Sequence, residues 1–225
     1  MVVTLLSTKI LAPNQRELLL NAHLSFVDFD ILKIEPQQLL LSQAVEDAIV
    51  TSQNAARVLV LSPKLVQESL KNTRFYTVGL KTAQILKDAG FQIVEIAKNS
   101  EQLAQTIRAR FKERTFTFFC GNTRRAELPE HLHKAAIRLE EKIVYKASPQ
   151  SKKFEQAFDA VLFYSPLGVS AFAKSNSIDL AVCIGSTTAT EAQKHATTVI
   201  TANQTTVEST IAKAVHYLKN TATQP

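Results

Sequence analysis

Short apolar runs that alternate with amphipathic stretches of helical period set the pattern of this chain. Residues 2–7 (VVTLLS) read as a first strand. Residues 14–22 read as a helix opened by Pro13 and Asn14, and residues 26–34 as a second extended run in which Val27, Phe29 and Ile31 alternate with polar neighbours. The pattern breaks around Glu35 and Pro36. From residue 48 a fresh series places strands near 48–51, 75–78, 93–96, 116–120 and 138–145, separated by helical stretches. A polar, lysine-bearing segment follows Ser148 and Pro149, and three more strands then fall near 160–164, 180–184 and 198–200, each followed by a helix. Five strands complete a doubly wound unit, whereas three do not. Adding the two amino-terminal strands to the last three restores five. The pattern therefore predicts an α/β protein of two doubly wound parallel-sheet domains: residues 1–34 with 149–225, and residues 37–144 inserted between them. The two crossings, near 33–37 and 144–149, are placed to pair as a two-stranded hinge, and the tail from Asn220 to Pro225 is expected to fray.

Within this series one stretch is repeated. Residues 75–91 (FYTVGLKTAQILKDAGF) spell strand, turn, helix and stop: an aromatic and β-branched run ends at Gly79, Thr82 stands where a helix can be capped, and Gly90 closes it. Residues 181–196 repeat the layout, with Gly185, Thr188 and Ala189 matching Gly79, Thr82 and Ala83 at one constant offset. A weaker echo pairs residues 49–55 (IVTSQNA) with 162–168 (LFYSPLG), each an apolar strand running into a serine, Ser52 or Ser165. Two matched pairs in the same order point to one α/β unit present twice.

Composition narrows the class. Hydrophobic residues make up 45% and charged ones 20% of the 225 residues, ordinary for a globular chain with a sizeable core. No apolar run approaches the roughly 20 residues that span a bilayer. In the opening MVVTLLSTKILAPN the lysine follows the apolar run and no small-residue cleavage site is evident, which reads as a first strand rather than a signal peptide. A cytoplasmic location and no membrane partner are therefore expected. The two cysteines, Cys120 and Cys183, each end an apolar run before a glycine and form no CxxC, which fits a reducing compartment and a structural role. A net charge of +6 favours anionic ligands without saying which.

Parallel sheets gather ligands beyond the carboxyl ends of their strands. The residues that fall there are Thr8 and Lys9; Ser52, Gln53 and Asn54; Gly79 and Thr82; Gly121, Asn122 and Arg125; Ser165, Pro166 and Gly168; and Gly185, Thr187 and Thr188. Hydroxyls, glycines and helix N-termini of this kind offer N–H donors and positive dipole ends to carboxylates or phosphates. Helix capping is the competing reading for Ser52, Thr82, Ser165 and Thr188. The stretch GNTRRAELP (121–129) lacks the Walker spacing and lysine, and GxGxxG is absent, so no nucleotide cofactor is expected. His131 and His133 lie two apart, on different faces of a helix, with no carboxylate to complete a metal set. Arg108, Arg110, Lys112 and Arg114 read as a solvated basic helix end, and no nucleic-acid partner is expected.

In order, TSQNA, VGLKTA, CGNTRRAELP, IVYK, SPLGV and IGSTTATEA resemble the uroporphyrinogen-III synthase family of tetrapyrrole biosynthesis over nearly the whole chain. The resemblance implies two flavodoxin-like domains joined by a two-stranded ladder, a monomer, and no cofactor or metal. It implies ring closure of hydroxymethylbilane, a linear tetrapyrrole with eight carboxylates, to uroporphyrinogen III with inversion of ring D. Loss of the hydroxyl would give an azafulvenium cation that forms a spiro intermediate before reopening and reclosing, in a cleft between the domains. The family's best candidate for assisting departure of the hydroxyl matches Tyr145, in IVYK, and a phenol is protonated at neutral pH and can donate to a leaving oxygen. Two departures stand out: Leu167 occupies a place often held by serine, and Ser186 follows Gly185 where proline is common. A two-domain protein that binds a small anion without catalysis is the alternative reading.

Overall fold

The computed structural model describes residues 3–41, 43–124 and 126–221. The chain divides into two compact units, one made of residues up to Lys33 together with those from Ser148 onward, the other of Ile34–Ala147.

The first unit holds β1 (Thr4–Ser7), α1 (Pro13–Leu20), β2 (Ser25–Asp28), and, after the second unit, β9 (Ala160–Phe163), α7 (Pro166–Ala173), β10 (Ile178–Cys183), α8 (Ser186–Ala192), β11 (Ala196–Thr201) and α9 (Val207–Thr221). Its parallel sheet runs β11-β10-β9-β1-β2. Counted along the chain this is the flavodoxin-like order, two-one-three-four-five. Alternate residues of each strand face opposite layers: Leu6, Val161 and Phe163 pack with Val169 and Ala189 of α7 and α8, whereas Leu5, Leu162 and Val182 pack with Leu19 and Ile211 of α1 and α9.

The second unit holds β4 (Asp47–Val50), α2 (Gln53–Val60), α3 (Lys64–Ser69), β5 (Arg74–Val78), α4 (Leu80–Asp88), β6 (Gln92–Ala97), α5 (Ser100–Arg110), β7 (Thr115–Gly121), α6 (Glu127–Lys134) and β8 (Arg138–Pro149). From one edge the strands run β6-β5-β4-β7-β8, all parallel. Helices α2 and α4 cover one face around Leu59, Phe75 and Phe119, and α5 and α6 cover the other around Ile107, Phe118 and Leu132.

Laid side by side, the two sheets have the same spatial order. If β9-β10-β11-β1-β2 is matched to β4-β5-β6-β7-β8, every neighbour agrees, and so do the helix layers, α7 and α8 answering α2 and α4. One unit is a circular permutation of the other, which accounts for matched stretches 49–55 and 162–168, or 75–91 and 181–196, within units of different sequential strand order.

Residues 26–34 depart from the single extended run expected of them. The chain breaks after Asp28 and resumes as β3 (Leu32–Pro36), which pairs with β8 in the other unit's sheet. Two carboxylates make the break: Asp28 accepts from Leu11 N–H at 3.1 Å and Asp30 from Ile10 N–H at 2.9 Å, pulling the chain toward the β1–α1 loop. Bonds from Gln37 N–H to Val144 O and from Gln150 N–H to Ile31 O, each 2.8 Å, bracket the β3·β8 ladder and run in opposite chain senses. Helix α9 continues through Asn220 to Thr221, two residues into the tail expected to fray; residues 222–225 lie outside the described residues. Arg114 is not merely solvated. With Arg74 and the Tyr76 hydroxyl it holds the buried Asp47 carboxylate at 2.7–2.9 Å. Cys120 and Cys183 are free and buried, and burial pushes their thiols up to about 11 and about 12.

Candidate functional site

In the inserted unit the direction of winding reverses between β4 and β7, so the chain leaves these two adjacent strands to opposite faces and opens a crevice at their carboxyl ends. Ser52 stands on one side of it. Its side chain caps α2, accepting from Ala55 N–H at 3.0 Å. Gly121, the last residue of β7, stands on the other. Over them lies the phenol of Tyr145, its oxygen 3.3 Å from Ser52 Oγ.

A bulge delivers the phenol there. Cys120 pairs with Ile143 but Gly121 with Tyr145, so Val144 is an extra residue on β8. Val144 and Tyr145 consequently face the same layer, beside Phe119 and Val50, which the two-residue period of a regular strand forbids. The ring needs the missing side chain of Gly121: a Cβ there would stand 2.7 Å from both Cε2 and the hydroxyl oxygen of Tyr145. Gly121 and Asn122, expected among the substrate contacts, are thus engaged with Tyr145 and its strand.

The other expected residues sort by geometry. Thr82 and Thr188 do not cap their helices; Gly79 and Gly185 are the N-caps, without a side-chain cap bond, and both threonines are the third helical residue. Both residues are buried, at 4% and 2% exposure, and neither hydroxyl has a hydrogen bond among the described residues; no fully enclosed side-chain oxygen there lacks a partner, so both hydroxyls keep some access to solvent. Ser165 is a cap, accepting from Gly168 N–H at 3.1 Å, and Pro166 opens α7. Thr8 is spoken for, its hydroxyl donating to Leu162 O at 2.7 Å. Gln53 accepts from Arg57 one turn on, at 3.2 Å, and Asn54 and Lys9 are half-buried. Thr187 is exposed, and Arg125 lies outside the described residues.

Thr8 and Ser165 mark the corresponding crevice of the first unit, between β1 and β9. Among the described residues nothing like Tyr145 stands there. Instead Tyr164, which the sequence did not single out, meets Ser7 Oγ at 3.1 Å, and burial pushes its phenol well above the ordinary range. Ser7 in turn donates to Lys9 O at 2.6 Å. A concavity of about 650 Å³ lined by Arg108, Lys112 and Lys134 lies at the other, amino-terminal edge of the inserted unit's sheet. Among the described residues, no group of three or more His, Cys, Asp or Glu could hold a metal, and no helix is long and apolar enough to cross a membrane.

A family model described as uroporphyrinogen-III synthase HemD matches residues 22–212. The chain belongs to the uroporphyrinogen-III synthase family. Its members close hydroxymethylbilane to uroporphyrinogen III in haem biosynthesis, and that cyclisation is the activity of this chain. Among solved structures, the uroporphyrinogen-III synthetase of Helicobacter pylori matches at 18% identity and TM-score 0.72, over 96% of this chain and 100% of that one. A mutant uroporphyrinogen III synthase of the extremely thermophilic bacterium Thermus thermophilus matches at 15% identity and TM-score 0.65, over 97% and 100%. These likenesses carry the two-domain synthase fold. No curated protein sequence matches the chain significantly.

Proposed function

We propose that this synthase uses Tyr145 to assist departure of the hydroxyl of hydroxymethylbilane, and binds the substrate's carboxylates through helix N-termini and hydroxyls at the carboxyl ends of its strands. The observation that carries the reading is the Tyr145 phenol, held 3.3 Å from Ser52 Oγ at the point where the inserted sheet reverses its winding. A protonated phenol donates to the leaving oxygen, which departs as water and leaves an azafulvenium cation. That cation attacks the substituted position of ring D, and the spiro intermediate reopens and recloses with the ring inverted. The proton released at final closure balances the one consumed in forming water.

The substrate also closes without inversion when free in solution, so holding its ends in one geometry is half of the task. Carboxylates supply the handles. At the start of α4, Gly79 gives no side-chain cap, so the positive end of the helix and the Thr82 hydroxyl face an anion together. Thr188 occupies the matching place in the first unit. The remaining rim residues, Ser52, Gln53, Asn54, Ser165 and Gly185, complete the proposed contacts, and a net charge of +6 helps gather a polyanion. The reading takes the chain as a cytoplasmic monomer working without cofactor.

Tyr145→Phe tests it, because the change removes one hydroxyl and little volume. Turnover of freshly made hydroxymethylbilane should fall about 10- to 1,000-fold, with the residual enzymatic product still the type III isomer. Thr188→Val, which removes a hydroxyl at nearly constant shape, is the matched variant on the first unit. Wild-type rates and pure type III product from both would remove these side chains from the chemistry.

A further inference from the structure

We infer that Asn122 is a positioning residue for Tyr145 rather than a contact for substrate, an inference that rests on the proposed role of Tyr145. Beyond Gly121 the chain leaves β7, and a parallel ladder would end there. Asn122 extends it by one rung. Its N–H donates to Tyr145 O at 3.2 Å, as the next residue of a parallel strand should. The carbonyl such a residue would offer to the partner strand two residues on is replaced by its own side chain: Oδ1 accepts from Ala147 N–H at 2.8 Å. One asparagine therefore grips β8 immediately at and two residues beyond Tyr145.

The grip matters because of what lies on either side. The bulge at Val144 interrupts the regular β7·β8 pairing just before Tyr145, and Val144 O turns to the other neighbour, accepting from Gln37 N–H at 2.8 Å. Without the Asn122 rung, β8 past the bulge would be tied to β3 alone, and the main chain carrying the phenol would have no fixed height above Gly121. With it, the ring sits within van der Waals reach of the Gly121 backbone and its oxygen within bonding distance of Ser52. The side chain that does this is an amide because the donor is a main-chain N–H and the position is solvent-exposed.

Three measurements on the full chain decide it. Asn122→Ala should lower kcat about 10- to 100-fold, the scale of a misplaced reacting group, with KM unchanged. Asn122→Asp keeps an acceptor oxygen at the same reach and should restore kcat to within about two-fold, since one hydrogen bond of similar geometry is kept. In a Tyr145→Phe background Asn122→Ala should change kcat by less than about two-fold, because coupled residues fail to add. Incorporated 3-fluorotyrosine supplies a readout independent of activity. The chain has four tyrosines, and the fluorine resonance lost in Tyr145→Phe should shift or broaden in Asn122→Ala and return in Asn122→Asp.

A raised KM with unchanged kcat would make Asn122 a substrate contact and overturn the inference, as would an unmoved Tyr145 resonance in Asn122→Ala. If Tyr145→Phe proves fully active, the catalytic reading fails, and the resonance still decides whether Asn122 sets the ring. Should Asn122→Ala be insoluble, Asn122→Ser, polar but too short to reach Ala147, carries the same comparison.

Discussion

Gly121→Ala isolates the position of the Tyr145 phenol without deleting any of its atoms. Gly121 ends a strand and has no left-handed φ, so its backbone accepts alanine readily. A strand glycine changed to alanine at a compatible conformation normally gains about 0.4–1 kcal/mol through the unfolded chain. Here the new methyl would meet Tyr145 Cε2 and its hydroxyl oxygen at 2.7 Å. Carbon atoms rest at about 3.5–4.0 Å, so the ring must retreat by roughly 1 Å. That displacement is enough to break the 3.3 Å approach to Ser52 Oγ, since contacts at about 3.6 Å no longer count as bonds. Overpacking of this kind costs about 1–3 kcal/mol, and the sign of the substitution is reversed. In a Tyr145→Ala background, with no ring to meet, Gly121→Ala should become neutral or stabilising. Urea unfolding of the four proteins of this cycle, followed by circular dichroism, should return a coupling of at least about 1 kcal/mol. On the Tyr145 background turnover should fall about 100-fold, as for a group misplaced by 1 Å. An equal shift of the unfolding midpoint in both backgrounds, or wild-type turnover in Gly121→Ala, would refute the reasoning.

Further outcomes follow from features away from the phenol. Asp47→Asn should destabilise the inserted unit by about 1–3 kcal/mol, because the half-exposed Arg74 and Arg114 would lose the charge-assisted bonds to the carboxylate they share; thermal unfolding measures it. Burial alone would raise the Asp47 pKa, but the bonds from Arg74, Tyr76 and Arg114 outweigh it and the net shift is downward. Its contribution is therefore present above the unfolded carboxylate value of about 4 and lost as pH falls through the lower folded value, so unfolding below about pH 4 should be less acid-sensitive in Asp47→Asn. Gly79→Ala places a Cβ at φ 83°, open in space but strained in the backbone, and should cost about 1–2 kcal/mol by chemical denaturation.

The strand count carried the fold. Three strands after residue 150 are too few for a doubly wound sheet by themselves, which is why they are joined to the amino-terminal pair; in the structure β1 lies between β2 and β9. The repeated glycines were legible because both follow a strand closely and stand as N-cap of the next helix, at Gly79 and Gly185. The threonines three residues on were legible as a pair but not as what they are, since a cap and a buried third helical residue share the same spacing. Alternation hid the break at Asp28 and Asp30, because apolar residues kept their period through it while the partners that bend the chain, Ile10 and Leu11, lie about 20 residues earlier. The Tyr145–Gly121–Ser52 contact had no local signal at all. It depends on a parallel register between β7 and β8 and on one extra residue, Val144, within it.

The insertion also dictates an order of folding. Thr4 and Asp159, 155 residues apart, are joined by the bond from Asp159 N–H to Thr4 O, so the outer sheet closes only after the whole intervening unit has been made. That unit contains all five of its own core strands between Asp47 and Pro149 and needs nothing from the residues that follow. Once it has folded, the β3·β8 ladder holds its entry and exit together, and the loop the outer unit must close shrinks to about 40 flexible residues, a saving of about 1 kcal/mol in chain entropy. During synthesis β1 and β2 have only each other to pair with until β9, the central strand of their sheet, has been made. A substitution that slows the inner unit should therefore appear as misfolding of the outer one.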